Sequence, residues 1–390
     1  MSVISTQPGT SPSSLLNEKA SRLKDRLFID KASDNYGKHT QVIHKVFSDF
    51  FSRLVTLTAT IRGNMKFSAI QNPKLWIAGL LAAIATGTAI WVKLSLTSGA
   101  LLPGIDGAYY WVQARSILEN GRLAFDDLPL ILVIQAGLGA LFGNIPLGVR
   151  ISDAVLPALS AIPIFLMLKD NKRIWVSAIA IAAVLLNPVQ LFFFTGNFIK
   201  NAAAIPLVFV IGLILMRWEK LSHRKAIIGL VATLIVLALS HFGVLLLGIL
   251  LVSVWLLMQL RKRHWKFWSK AIAIAVGVIG LVLASLAIFV PARFERLISL
   301  VSNPLSLFAD PTWQAMFNMR AEFSTTFSTI SGQLGAIALA IVGWLIRRKL
   351  SFSDRSLLVS SLAAAFLLSS PFIANEWSNR LSAMTFVPLS

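Results

Sequence analysis

The chain contains no cysteine, which excludes a disulfide framework and thiolate chemistry and leaves the redox compartment open. Charge is scarce at 14% of 390 residues, and acidic charge scarcer still, with 17 Asp and Glu against 36 Lys and Arg. The five His are scattered, and none forms HExxH or a comparable metal-ligand pair. No Walker loop, no GxGxxG after a strand and no GxSxG elbow occurs, so nucleotide-driven, hydride-transfer and serine-nucleophile chemistry have no support. Nor is there a repeat of 20 to 50 residues, or a pair of interrupted helices in inverted arrangement of the kind that marks many transporters.

What remains is largely apolar: 56% hydrophobic residues, 25 Phe, 11 Trp and a mean hydropathy of +0.73. A soluble domain does not tolerate that composition, and the expected class is an all-α, polytopic integral membrane protein. The formal charge of +19 falls in short clusters between apolar runs. Such clusters mark cytoplasmic loops and attraction to anionic membrane lipids, and no nucleic-acid partner is expected.

Residues 1–74 read as a cytoplasmic basic tail, and the late first apolar run at Leu75 argues against a cleavable signal peptide. Residues 1–14, rich in Ser, Thr and Pro, have the composition of a disordered segment. At about 40–57, Ile43, Val46, Phe47, Phe50, Phe51, Leu54 and Leu57 recur at helical spacing, giving an amphipathic helix that lies on the cytoplasmic face or on the protein's own loops.

Apolar runs then occupy 75–96, 128–143, 151–168, 174–195, 202–216, 226–240, 243–260, 271–290, 331–346 and 356–373, with another starting at Leu381. A span needs about 20 residues, so 128–143 is the weakest. If it crossed, the cluster 169–173 would lie outside and every later cluster would be inverted with it. If it lies along the outer surface, the tail, 169–173, 217–225, 261–266 and 347–349 all fall inside. The expectation is therefore about ten transmembrane helices in 75–390, an extracytoplasmic juxtamembrane helix at 128–143, and external loops at about 97–150 and 291–330. Short external turns are expected near 196–201, 241–242 and 374–380. The N-terminus would be cytoplasmic and the host a bacterial or archaeal cytoplasmic membrane. The ten residues after Arg380 are too few to cross, so a C-terminal truncation is also expected.

The segment Pro103-Gly-Ile-Asp-Gly-Ala-Tyr-Tyr-Trp-Val-Gln-Ala-Arg115 follows the first span and joins a carboxylate, three aromatics and an arginine. That composition points to a reaction at the membrane surface with Asp106 as its carboxylate. The bland reading is that Tyr109, Tyr110 and Trp111 are interfacial anchors and Asp106 a solvated acid or helix cap. Read on through Gly121, Phe125-Asp-Asp-Leu-Pro-Leu130 and Leu141-Phe-Gly-Asn-Ile-Pro-Leu-Gly-Val-Arg150, the stretch resembles the first extracytoplasmic loop of the GT-C superfamily of polytopic glycosyltransferases. That superfamily includes protein mannosyltransferases, the aminoarabinose transferases of lipid A and oligosaccharyltransferase catalytic subunits. The resemblance covers about 50 residues and implies a catalytic Asp106, a juxtamembrane helix after it and a polyprenyl-phosphate-linked sugar donor. Many members carry a further acid in the next external turn. Here Thr195-Gly-Asn-Phe-Ile-Lys-Asn201 has Lys200 and Asn201 instead, so a divalent metal is not supported by a paired-acid motif.

Transfer from a lipid phosphate requires one base for the acceptor hydroxyl, since phosphate is already a good leaving group. It also requires cations for the departing phosphate and aromatic surface for the sugar. The acceptor would be a glycan, lipid or protein. Tyr109, Tyr110, Trp111 and Arg115 are candidates to contact substrate, and Arg122 lies in the same loop. Lys200 would meet the phosphate or snorkel to the interface. His241 would bond sugar or phosphate, or be satisfied by backbone at a helix end. Arg320 in the second loop and Arg380 are further phosphate candidates. Asp126 and Asp127 are secondary acids that would cap the juxtamembrane helix or act in catalysis, and Asp153 would form an ion pair or a cap. The competing classes are a transporter or flippase of lipid-linked glycans, which should show charged or broken helices near the midplane, and an inactive membrane scaffold.

Overall fold

The computed structural model describes residues 73–97, 107–168, 175–190, 198–259, 290–303, 323–370 and 384–390, with isolated positions between 269 and 288 and at 381. The amphipathic helix expected at about 40–57, and most of the run 271–290, lie outside the described residues.

The described regular structure is all α-helical. The helices are α1 (Pro73–Leu96), α2 (Gly107–Asn120), α3 (Pro129–Leu141), α4 (Ile145–Ala158), α5 (Ala161–Leu168), α6 (Trp175–Leu185) and α7 (Ile199–Met216). They continue as α8 (His223–Ser240), α9 (Phe242–Gln259), α10 (Pro291–Ser302), α11 (Phe323–Ile346), α12 (Phe352–Leu368) and α13 (Phe386–Leu389). Five apolar stretches among them are long enough to cross a bilayer: α1, the stretch Ile145–Leu168 formed by α4 and α5, α7, α8 and α9. At 1.5 Å per residue the 24-residue α1 reaches about 36 Å, and an 18-residue helix about 27 Å, against a hydrocarbon core of about 30 Å. The protein is thus a multi-pass membrane protein by helix length and hydropathy. The helix Trp175–Leu185 and the apolar stretch Ile330–Ile346 within α11 fall below that length.

Burial separates the spans by position. α7 is the central one: 67% of its apolar window is buried, and it packs on α4, α5, α8, α9 and α12. α1 is peripheral at 17%, and its Trp76, Leu80 and Trp91 side chains are each more than 60% exposed, a surface suited to lipid. Pro206 inside α7 removes one ladder hydrogen bond, and Pro157 and Pro163 bracket the break between α4 and α5 at Leu159–Ser160.

The 13-residue α3 spans only about 20 Å and does not reach across a bilayer. It turns back at once into α4. Gly143 has φ of 61°, which favours glycine, and Asn144 caps α4 by accepting from the Leu147 N–H at 3.0 Å. The two helices meet backbone to backbone. A Cβ added at Gly148 would lie 2.2 Å from the Gly139 nitrogen, so only glycine permits this crossing.

Candidate functional site

Four segments far apart in sequence meet at one end of the bundle. Leu128 packs with Leu286 and Val290, against partly buried Phe242 and Phe294. Ile199 joins Tyr110, Ala114, Leu118, Leu132, Ala136 and Val149. The loop after α2, the start of α7, the α8–α9 turn and the start of α10 therefore share this end.

Asp127 is the centre of it. Its side chain is 4% exposed and forms an ion pair with Lys200, itself 13% exposed, through Oδ2. The Tyr109 hydroxyl donates to the same oxygen, and Oδ1 accepts from the Leu128 N–H at 2.8 Å. Burial pushes the Asp127 carboxyl up, but the Lys200 charge and the bonds from Lys200, Tyr109 and Leu128 outweigh it and hold the group below its usual value. A carboxylate so paired stays ionised at neutral pH.

Gln113 holds this arrangement in register. It is fully buried and lies four residues, one helical turn, after Tyr109, so both face the same side of α2. Its Nε2 donates to the Tyr109 hydroxyl at 2.8 Å and to the Phe125 carbonyl at 2.9 Å. Its Oε1 accepts from the Ala124 and Phe125 N–H groups at 2.9 and 3.2 Å. One side chain thus clamps the incoming loop against the helix and fixes where Asp127 can sit. Nothing in the spacing of the sequence singled out Gln113. Its signal was slight: a lone amide on the otherwise apolar face of a short helix. Phe125, 57% exposed, stacks on Tyr109 with centroids 6.0 Å apart and rings 19° from parallel, and leaves an aromatic face open.

A second polar cluster lies between α1, α3 and α4. Asp153 Oδ1 accepts from Gln135 Nε2 at 2.8 Å and from the Ser152 hydroxyl at 3.1 Å. Lys93, in the last turn of α1, is near enough to act on Asp153 electrostatically, and both residues are 1% exposed. Asp153 Oδ2 and Gln135 Oε1 are buried with no hydrogen-bond partner among the described residues.

The candidates from sequence divide accordingly. Tyr109, Asp127 and Lys200 come together, with the Lys200 ammonium paired to Asp127. Neither Asp126 nor Asp127 is the cap of α3, because the cap position is Leu128, whose own side chain makes no capping bond; Asp127 reaches only the Leu128 N–H, and Asp126 is exposed and outside the network. Tyr110 is buried in the apolar core. Trp111 packs beside it with its indole nitrogen buried and without a hydrogen-bond partner. Arg115 points to solvent and pairs with Glu119 at 3.7 Å on another face of α2. Asp153 sits within α4 and faces Lys93, so it is not a cap. His241 Nδ1 accepts from the Val244 N–H at 3.2 Å and so caps α9. Asp106, Arg320 and Arg380 lie outside the described residues, although Asp106 directly precedes the first residue of α2. Among the described residues no three His, Asp or Glu side chains gather where they could hold a metal ion.

No protein-family model matches the chain, and neither a curated protein nor a solved structure matches it.

Proposed function

We propose that the protein is a membrane glycosyltransferase of the GT-C kind, inverting, that moves a sugar from a polyprenyl-phosphate-linked donor to an acceptor hydroxyl at the extracytoplasmic face. The observation that carries the proposal is the buried Tyr109–Asp127–Lys200 network, which Gln113 holds against α2, the helix that Asp106 immediately precedes. Such a network makes a rigid base for a reactive carboxylate, and positional rigidity is worth several powers of ten in rate.

In this reading Asp106 takes the proton from the acceptor hydroxyl. The acceptor oxygen bonds to the anomeric carbon as the carbon–oxygen bond to phosphate breaks, and the phosphate leaves with the electron pair on its lipid. The Phe125 face beside Tyr109 offers a surface for the sugar. Because Lys200 is engaged by Asp127, the charge of the leaving phosphate falls to Arg320 or Arg380. Membranes holding the wild type and the Asp106→Asn variant should be compared for consumption of labelled polyprenyl-phosphate sugar. Loss of turnover in the variant supports the reading, and equal turnover overturns it.

A second reading has its own observation. Lys93 and Asp153 are ionisable groups buried within span helices, and the span that carries Asp153 breaks further on at Leu159–Ser160, features that a carrier of lipid-linked glycans would contain. If proteoliposomes translocate a lipid-linked glycan, and Asp153→Asn abolishes this while Asp106→Asn does not, the carrier reading replaces the enzyme.

A further inference from the structure

The end of the bundle away from Asp127 is built differently. α5, α6, α7, α11, α12 and α13 surround a cavity of about 340 Å³ there. Met167, Val208, Met216, Val342 and Leu358 contribute to its wall, and Asp354, Ser361 and Ser390 are the polar side chains among the lining residues. Asp354 is committed elsewhere, accepting from the Ser351 hydroxyl at 2.7 Å in the capping box that starts α12. The wall therefore offers dispersion contacts and little to bind a polar molecule.

Its rim is basic. Arg217, next to the lining residue Met216, donates to the Leu166 carbonyl, which sets its guanidinium beside Met167 and Leu168 of the wall. Arg347 lies 4.3 Å over the Trp344 ring, and Arg348 and Lys349 are exposed between the lining residues Ile346 and Leu350. In sequence, Leu168 continues into Lys169, Lys172 and Arg173. The wall runs from mid-helix residues such as Val208 and Leu251 to Met216 and Ile346 at helix ends, so the apolar wall reaches the charged rim at the ends of α7 and α11.

We infer that this is a binding site for an anionic glycerophospholipid of the surrounding bilayer, with one acyl chain in the cavity and the phosphate at Arg217 and the 347–349 run. Three features select that occupant. The volume admits a length of hydrocarbon but leaves no room for a polar headgroup. A neutral lipid would leave the basic rim uncompensated, whereas juxtamembrane Lys and Arg attract anionic headgroups. A free phosphate would leave the apolar cavity empty. The site is separate from the proposed glycosyl-transfer site: Lys200 and Met216 lie at opposite ends of α7, 16 residues or about 24 Å apart. The bound lipid would tie the ends of α5, α7, α11 and α12 together.

The test uses the full chain, purified in detergent and delipidated. Phosphatidylglycerol or phosphatidylcholine with identical acyl chains is added back, and bound lipid is counted by native mass spectrometry. The wild type should retain phosphatidylglycerol about tenfold more strongly, the scale expected for a few basic residues at a membrane surface. The triple variant R347Q/R348Q/K349Q, altered only at exposed side chains, should lose that preference and keep its phosphatidylcholine level. Val342→Trp, at a half-exposed lining position, should lower retention of both lipids. Equal retention of the two lipids by the wild type would overturn the inference. So would undiminished phosphatidylglycerol binding in both variants, or its complete displacement by inorganic phosphate, which would mark a free-anion site.

Discussion

The two ends of the α7 bundle solve opposite problems with the same apolar helices. At the Lys200 end, charged and polar side chains are buried and satisfied by one another: Asp127 by Lys200, Tyr109 and the Leu128 N–H, and Gln113 by the loop it clamps. At the Met216 end Arg347, Arg348 and Lys349 are exposed at the rim and the interior is an apolar cavity. Burying a charge is tolerable only with an opposite charge and hydrogen bonds in place, so the first end is sensitive to single changes in a way that the second is not. A reaction centre needs the first property. A lipid site, whose occupant moulds itself to the wall, needs only the second.

The sharpest way to break this contrast is at Asp106. Asp106→Asn should cut transferase turnover by about 100- to 10,000-fold, the usual worth of a general base, with folding intact by circular dichroism. Substitution at the exposed cluster 347–349 should leave turnover within twofold in the same membranes.

Next in size is Lys200→Met. It strands the Asp127 carboxylate and should cost about 3–5 kcal/mol in unfolding experiments in detergent, as broken buried pairs do. The double variant Asp127→Asn with Lys200→Met should recover much of that loss. If the single and double variants are equally unstable, the pair is not what holds this end.

Gly148→Ala should destabilise by about 1–3 kcal/mol or more, because its Cβ meets backbone at Gly139 that cannot rotate away. Ser361→Ala, at the cavity wall of the other end, should stay within about 0.5 kcal/mol. Thermal unfolding of the two variants side by side compares the ends directly.

The smallest effect is in pH. The Asp127 carboxyl is held below its ordinary value of 3.8, so its contribution to stability is fully present above that pH and is lost as pH falls through the lowered folded value. Protection factors for hydrogen exchange across 107–128, corrected for the intrinsic pH dependence of amide exchange, should therefore stay unchanged from pH 7 to pH 4 and fall below it. A fall already between pH 6 and 5 would show that Asp127 is not so stabilised.

Helix class and membrane-spanning segments were readable along the chain, because each depends on the length and polarity of a contiguous segment. α3 stood out by being too short to cross, and the basic clusters by their place between apolar runs. The expected span 151–168 was readable too, although it begins six residues earlier at Ile145 and breaks at Leu159–Ser160. The candidate site was legible only in its ingredients. Tyr109, Asp127 and Lys200 were all nominated, but Asp127 as a cap or a secondary catalytic acid and Lys200 as a phosphate ligand or a snorkelling lysine, since no local pattern pairs residues 73 positions apart. Gln113 escaped notice because its role lies in which loop it touches.

Sequence by itself determined that this chain is helical, apolar and multi-pass, since hydropathy and periodicity are local properties set by each segment's own residues. Tertiary structure alone decided which charges are neutralised inside the protein. It brought the first loop onto the start of α7, sank Asp127 beneath Tyr109 and Gln113, and left Arg347, Arg348 and Lys349 exposed at the other end of the bundle. The reason is physical: the cost of a buried charge is set by the partners that packing brings to it, and those partners come from distant parts of the chain.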